Sequence, residues 1–245
     1  GGARYHDYGG APLGLQNAAD ALTALRLAVY EERFCTPEEL LAALRDDFVG
    51  HEVLRARLLA LPKYGQGNLE ADAMMNRVVT DLCGVFDEYR NRYGGRVKPM
   101  IFTFVWAPQM GNSLGASPDG RRAGQPIGHG LTPQSLGATK GLTTCMNSLG
   151  CVCHDVVSGG ATTMWDMDPD WINFPVLRSL LITFMEKGGQ IFQGNMTSIE
   201  DMERALASPA DYPNLFVRVG GFSARFVSLD PSLQREIIAR HRHRK

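Results

Sequence analysis

The chain has 245 residues, 44% of them apolar and 21% charged, with a formal net charge of −1. That length suits one large domain or two small ones and can bury roughly three quarters of its unfolded surface, while the near-neutral charge gives no support to nucleic acid or an anionic membrane as partner. No apolar run reaches the length of a membrane span and no signal peptide is visible; the five cysteines, an odd number, do not read as a disulfide framework, so the expected setting is a reducing cytoplasm.

The chain opens Gly1-Gly2-Ala3 without a methionine, as a processed product or a piece of something longer would. Residues 1–12 form a glycine-rich entry loop. Leu15, Ala18, Leu22, Leu25 and Val29 recur at helical spacing and predict an amphipathic helix over 14–32. Thr36-Pro37-Glu38-Glu39 is a capping box with proline at the first helical position, opening a helix that carries Leu40, Leu41 and Leu44. A third helix, 52–61, stops at Pro62, and Pro62–Gly65 is a turn. Met75, Val78, Val79, Leu82, Phe86 and Tyr89 line a long helix over 69–93 that Gly94-Gly95 ends.

Val97–Trp106 is apolar and rich in β-formers, which predicts a buried strand. Most of Ala107–Gly130 is loop, with Pro118-Asp119-Gly120 setting a turn. Met146-Asn147-Ser148 closes a short helical stretch, and Trp165–Pro169 is expected as a turn in which Asp166 and Asp168 serve as turn and cap residues. A helix over 172–187 ends at Gly188-Gly189. A strand Ile191–Gln193 and a helix from Ser198 to about 207 follow. Strands Leu215–Val219 and Phe222–Val227 flank Gly220-Gly221, which by local rules is a β-hairpin turn. Asp230-Pro231 caps a last helix ending Arg240-His241-Arg242-His243, where positive charge is favoured.

The stretch Val217–Phe226 also resembles the radical-bearing loop of the glycyl radical enzymes, the group that includes pyruvate formate-lyase and glycerol dehydratase. That loop reads Arg-Val-(Ser/Ala)-Gly-(Tyr/Phe)-(Ser/Ala). The resemblance implies a radical site at Gly221, supported by Arg218, Val219, Gly220, Phe222 and Ser223. Chemistry explains the glycine. Removing a hydrogen from Cα leaves an electron shared between the amide nitrogen and the carbonyl, which needs a flat Cα that a side chain would crowd. Glycine also enters backbone conformations closed to other residues.

Other stretches resemble the family in the same order. Gly1–Gly9 is similar to Gly-Gly-Ala-x-Tyr-Asn-x-x-Gly, with His6 in place of the asparagine. Pro62-Lys63-Tyr64-Gly65, Asp119–Pro126, Met146-Asn147-Ser148 and Glu186-Lys187-Gly188-Gly189-Gln190 follow. The implied fold is α/β, the C-terminal part of a ten-stranded α/β barrel. Residues 1–125 would form its helical and strand part, and 126–245 the glycine radical domain. Phe102 and Phe104, on the expected strand Val97–Trp106, could face substrate; plain core packing is the competing reading.

In that family the glycyl radical takes hydrogen from a cysteine, whose thiyl radical attacks the substrate. The cysteine sits in a Gly-Cys-x-Glu-type loop expected upstream of these residues. Gly150-Cys151-Val152-Cys153-His154-Asp155 resembles it only superficially, and buried structural thiols are the favoured reading there. Neither zinc nor haem spacing is present, nor a phosphate-binding loop or nucleophile elbow, so no bound metal or cofactor is expected. The resemblance implies an activating enzyme with an iron–sulfur cluster and S-adenosylmethionine, a small organic substrate, an upstream part or partner supplying the cysteine, and a homodimer. The implied reaction is an anaerobic lyase step, dehydratase or decarboxylase-like, ahead of formate acetyltransferase. Two alternatives are a spare-part protein that docks on and restores an oxygen-cleaved enzyme, and a scaffold with no radical.

Overall fold

The computed structural model describes residues 2–134, 136, 140–167, 169, 170 and 172–242. Asp168, His243 and the side chain of His241 lie outside what is described.

Helices form where apolar residues recur at helical spacing. The first two in contact, α1 (Leu15–Leu25) and α4 (Leu69–Glu88), bury Leu15, Ala19, Met75, Val79 and Cys83 in one cluster. From α1 the chain continues as a π-helical turn, Arg26–Glu31, where an α-helix through 32 was expected. The wider turn buries three consecutive residues, Leu27, Ala28 and Val29, in one cluster with Phe48 and Leu58, which α-helical spacing does poorly. The capping box forms as read at α2 (Pro37–Arg45): Glu39 N donates to Thr36 Oγ1 at 3.1 Å and Thr36 N to Glu39 Oε2 at 2.8 Å. α3 (Glu52–Ala60) stops before Pro62. α4 ends short of 93 because Tyr89 is extended and Asn91 folds the chain back, accepting from Gly95 N at 2.9 Å.

Strands β1 (Tyr8–Gly10) and β2 (Val97–Pro99) pair in parallel, with α1 to α4 between them in the chain. β3 (Thr162–Asp166) and β4 (Ile191–Asn195) do the same around α7 (Phe174–Glu186), in register Thr162↔Ile191 to Asp166↔Asn195. A parallel bridge, Ile101↔Ala161, links the two pairs. Parallel strands joined through helices make the architecture α/β.

Two expectations are corrected here. Val97–Trp106 is a strand only to Pro99: proline cannot donate to a ladder, and Phe104 has φ 49, a left-handed backbone that turns the chain into α5 (Trp106–Asn112). Trp165 and Asp166 belong to β3 and not to a turn. Every residue of β3 is buried, and its threonines and tryptophan suit a strand, so the chain turns only later, at Pro169 and Asp170.

α6 (Leu142–Leu149) joins the first core. α8 (Ile199–Ala207), the hairpin strands β5 (Phe216–Arg218) and β6 (Ser223–Arg225), and α9 (Pro231–Arg242) enclose a separate one of Met202, Val217, Val219, Phe226 and Ile237. Among the described residues no helix is long and apolar enough to cross a membrane.

A buried polar network ties distant motifs together. Asp20 on α1 accepts from Tyr64 N at 2.8 Å and from Gln134 Nε2, which also donates to Asp119 Oδ2 at 3.0 Å. Asn17 donates to Asp119 Oδ2 at 3.3 Å. Arg121 and Arg122 donate to the carbonyls of Gln125 and Asp47. The turns Pro62–Gly65 and Asp119–Pro126 are thus fixed to α1 and to each other. Burial pushes the Asp20 carboxyl from an ordinary 3.8 to about 7. A raised carboxyl favours the fold most below its unfolded value, and that contribution is lost as pH rises through 7. Between pH 5 and 8, urea unfolding should therefore show stability falling by a few kcal/mol, at about 1.4 kcal/mol for each pH unit below the folded value. In Asp20→Asn that slope should vanish; an unchanged slope would assign it to another group.

Candidate functional site

β5 and β6 pair antiparallel in the register Phe216↔Arg225, Val217↔Ala224 and Arg218↔Ser223. Residues 219–222 close the hairpin, with Val219 N donating to Phe222 O at 3.0 Å. Gly221, third in that turn, has φ 92, the place where type II turns call for glycine. It is exposed, whereas Gly220 is buried.

Gly220 is required by proximity. A Cβ there would lie 2.8 Å from Phe104 O and 3.0 Å from its carbonyl carbon and Cα. At Gly221 a Cβ would lie 3.3 Å from Phe104 Cε1, a ring atom. The left-handed turn at Phe104 that ends the expected strand is therefore what seats the hairpin tip. Phe104 stacks on Phe102, ring centres 5.6 Å apart, and meets Trp106 edge-on at 6.4 Å. Phe102 is half-buried and Phe104 is 44% exposed. Neither lies in the strand, which ends at Pro99, but the two rings share a face and Phe104 lies against Gly221.

The remaining residues of the resemblance differ in surroundings. Val219 is buried in the core under the hairpin. Phe222 and Ser223 are exposed, and Arg218 reaches Ser223 Oγ at 3.5 Å across the ladder.

Two buried side chains outside the motif hold the tip. Gln193 on β4, 5% exposed, accepts from Gly221 N at 2.6 Å. Arg240 on α9 donates to Val219 O at 3.3 Å. Arg240 Nε lies 3.3 Å from Glu236 Oε1, which lies 2.9 Å from His129 Nε2. Burial alone would raise the Glu236 carboxyl, but Arg240 and then His129 outweigh it and hold it below the usual carboxylate value. Sequence reasoning passed over Gln193, His129, Glu236 and Arg240. The available signal was a Glu–Arg pair four residues apart beside Leu233 and Ile237 on the apolar face of the last helix.

Cys151 and Cys153 are exposed, which corrects their reading as buried thiols. Val152 between them turns inward at 4% exposure, so both neighbours point out. Cys151 Sγ reaches Asn147 O on α6, and Cys153 N donates to Asn76 on α4. Partial desolvation by the surrounding chain, and then the Asp72 carboxylate, raise the Cys151 thiol although the residue is exposed. Among the described residues no three His, Cys, Asp or Glu side chains are placed to hold a metal.

Comparison with known proteins matches this geometry to a family. Residues 1–109 match the family model "Pyruvate formate lyase-like", and 127–227 match "Glycine radical", which contains the hairpin. A relative named probable dehydratase YbiW, from Escherichia coli (strain K12), is 34% identical over 99% of this chain and 32% of its own length. The (2S)-3-sulfopropanediol dehydratase of Klebsiella oxytoca is 28% identical over 98% of this chain and 30% of its own. The glycerol-bound structure of the B12-independent glycerol dehydratase from Clostridium butyricum superposes with a TM-score of 0.92 at 32% identity, over 98% of this chain and 31% of that one. The chain thus spans about a third of the length of the relatives it matches. With both family models in chain order and the glycine hairpin inside the second, the chain belongs to the glycyl radical enzyme family.

Proposed function

We propose that this chain is the radical-storing C-terminal portion of a glycyl radical lyase, with the radical on Gly221. The observation that carries the reading is the tip itself. A glycine at φ 92 is backed by a glycine whose Cβ would press on the Phe104 backbone, its amide is held by Gln193, and an aromatic ring lies beside it. An activating enzyme would cleave one Cα–H bond of Gly221 homolytically; the hydrogen atom leaves with the activator's radical, formed from S-adenosylmethionine reduced by its iron–sulfur cluster, and one electron stays on Cα. In this reading the ten-stranded barrel is completed, and the thiyl cysteine supplied, by further polypeptide; the chain's spanning about a third of its relatives' length supports this. Support for a dehydratase-type lyase on a small organic substrate comes from relatives named as dehydratases and sulfite-lyases.

The test is anaerobic activation of the full-length protein, followed by electron paramagnetic resonance. A signal split by the single remaining α-hydrogen of Gly221 is expected. Air should then break the chain at Gly221 and leave a fragment lacking the last residues. An activated protein with no such signal, or one that keeps its full length in air, would overturn the assignment. Restored turnover on addition to an oxygen-cleaved partner, with none alone, would instead identify a spare-part protein.

A further inference from the structure

The amide of Gly221 has one partner on the hairpin's inner side, and it comes from a different sheet. Gln193 sits on β4, opposite Met164 of β3, and is buried, yet its carbonyl oxygen reaches the exposed tip at 2.6 Å. An amide-to-amide bond with a buried acceptor is stronger than the same bond in water. Nothing in the hairpin's own ladder requires it, because β5 and β6 are closed by Val219 and Phe222.

We propose that Gln193 is a positioning residue for the Gly221 radical, acting on the electron-donating half of that radical; the inference rests on the assignment of Gly221 above. The unpaired electron on Cα is shared with the amide nitrogen and with the carbonyl, and both must be coplanar with Cα. An acceptor on the N–H fixes the plane of that peptide. It also draws the proton outward, which raises electron density on nitrogen and strengthens its donation to Cα. Arg240 holds the carbonyl of Val219, two residues earlier, so the tip is gripped from β4 and from α9 while Phe104 blocks sliding.

The test uses the full-length protein labelled with ¹⁵N-glycine, as wild type, Gln193→Met and Gln193→Glu. Methionine keeps the length and volume of the side chain without an acceptor; glutamate keeps the acceptor oxygen. Before activation, amide exchange at Gly221 should quicken in Gln193→Met by roughly five-fold, the size of one neutral hydrogen bond, with the thermal midpoint close to wild type. After anaerobic activation the ¹⁵N coupling of the radical should fall in Gln193→Met, with a matching loss of radical lifetime, and return in Gln193→Glu. A radical of unchanged ¹⁵N coupling and lifetime in Gln193→Met overturns the role of Gln193 alone. A wild-type protein that carries no radical overturns the Gly221 assignment and this inference together.

Discussion

Alanine at Gly221 is expected to give a folded protein that forms no radical and turns over no substrate. The structural cost is small. A side chain at φ 92 is strained by about 1–2 kcal/mol, and the new Cβ would meet the Phe104 ring, Cε1 at 3.3 Å and Cδ1 at 3.4 Å, in a residue 44% exposed that need yield by only a few tenths of an ångström. The chemical cost is complete, because a Cβ at the radical carbon crowds both flanking peptides out of the plane that the unpaired electron requires. Alanine at Gly220 should behave in the opposite order. Its Cβ would lie 2.8 Å from Phe104 O and 3.0 Å from the adjoining backbone carbons. Backbone held at φ 49 cannot give way as a ring can, so overpacking of about 1–3 kcal/mol is expected. Spin counting and thermal unfolding on both variants separate the two effects. Gly221→Ala should lose the radical with a small drop in midpoint, and Gly220→Ala should lose more stability while keeping an activatable glycine. Turnover retained in Gly221→Ala would place the radical chemistry elsewhere.

Local rules account for much of the fold and for little of the site's support. The capping box at Thr36, the stop at Pro62, the apolar face of α4 and the hairpin at Gly220-Gly221 all follow from spacing within a few residues, and all are present. Val97–Trp106 misled because β-forming composition outweighed one proline and a left-handed phenylalanine. Those two residues decide where the strand stops, and the turn they create is the seat of the hairpin. Trp165 and Asp166 misled for the opposite reason, since turn-forming neighbours masked the end of a buried strand. What grips the tip is invisible to any window. Gln193 is 28 positions from Gly221, Arg240 is 21 from Val219, and His129 is 107 from Glu236. Such pairs are selected by the folded arrangement of sheet and last helix, and a buried glutamine or arginine leaves no period in the sequence.

Arg240 should prove the most costly single truncation in the C-terminal core. It and Glu236 are each 7% exposed and lie side by side with His129, so removing the guanidinium strands a carboxylate in the interior. A broken buried pair costs about 3–5 kcal/mol, most of it the unpaired charge that remains. Arg240→Met should therefore lower stability at pH 7 by that amount and loosen the hairpin, read as faster amide exchange from Val219 to Phe222. The pH dependence carries the sign. In the wild type the Glu236 carboxyl sits below its usual 4.5, so its contribution is present above that value and is lost as pH falls through the lower folded one. In Arg240→Met only His129 still offsets burial, the carboxyl rises, and protonation relieves the stranded charge. The gap between variant and wild type should accordingly narrow as the pH is taken from 7 toward 4. Combining Arg240→Met with Glu236→Gln removes both charges and should recover most of the loss at pH 7, as a double-mutant cycle would register. A gap of equal size at both pH values, or no recovery in the double variant, would mean that Arg240 acts through its packing and its bond to Val219 O, with Glu236 a bystander.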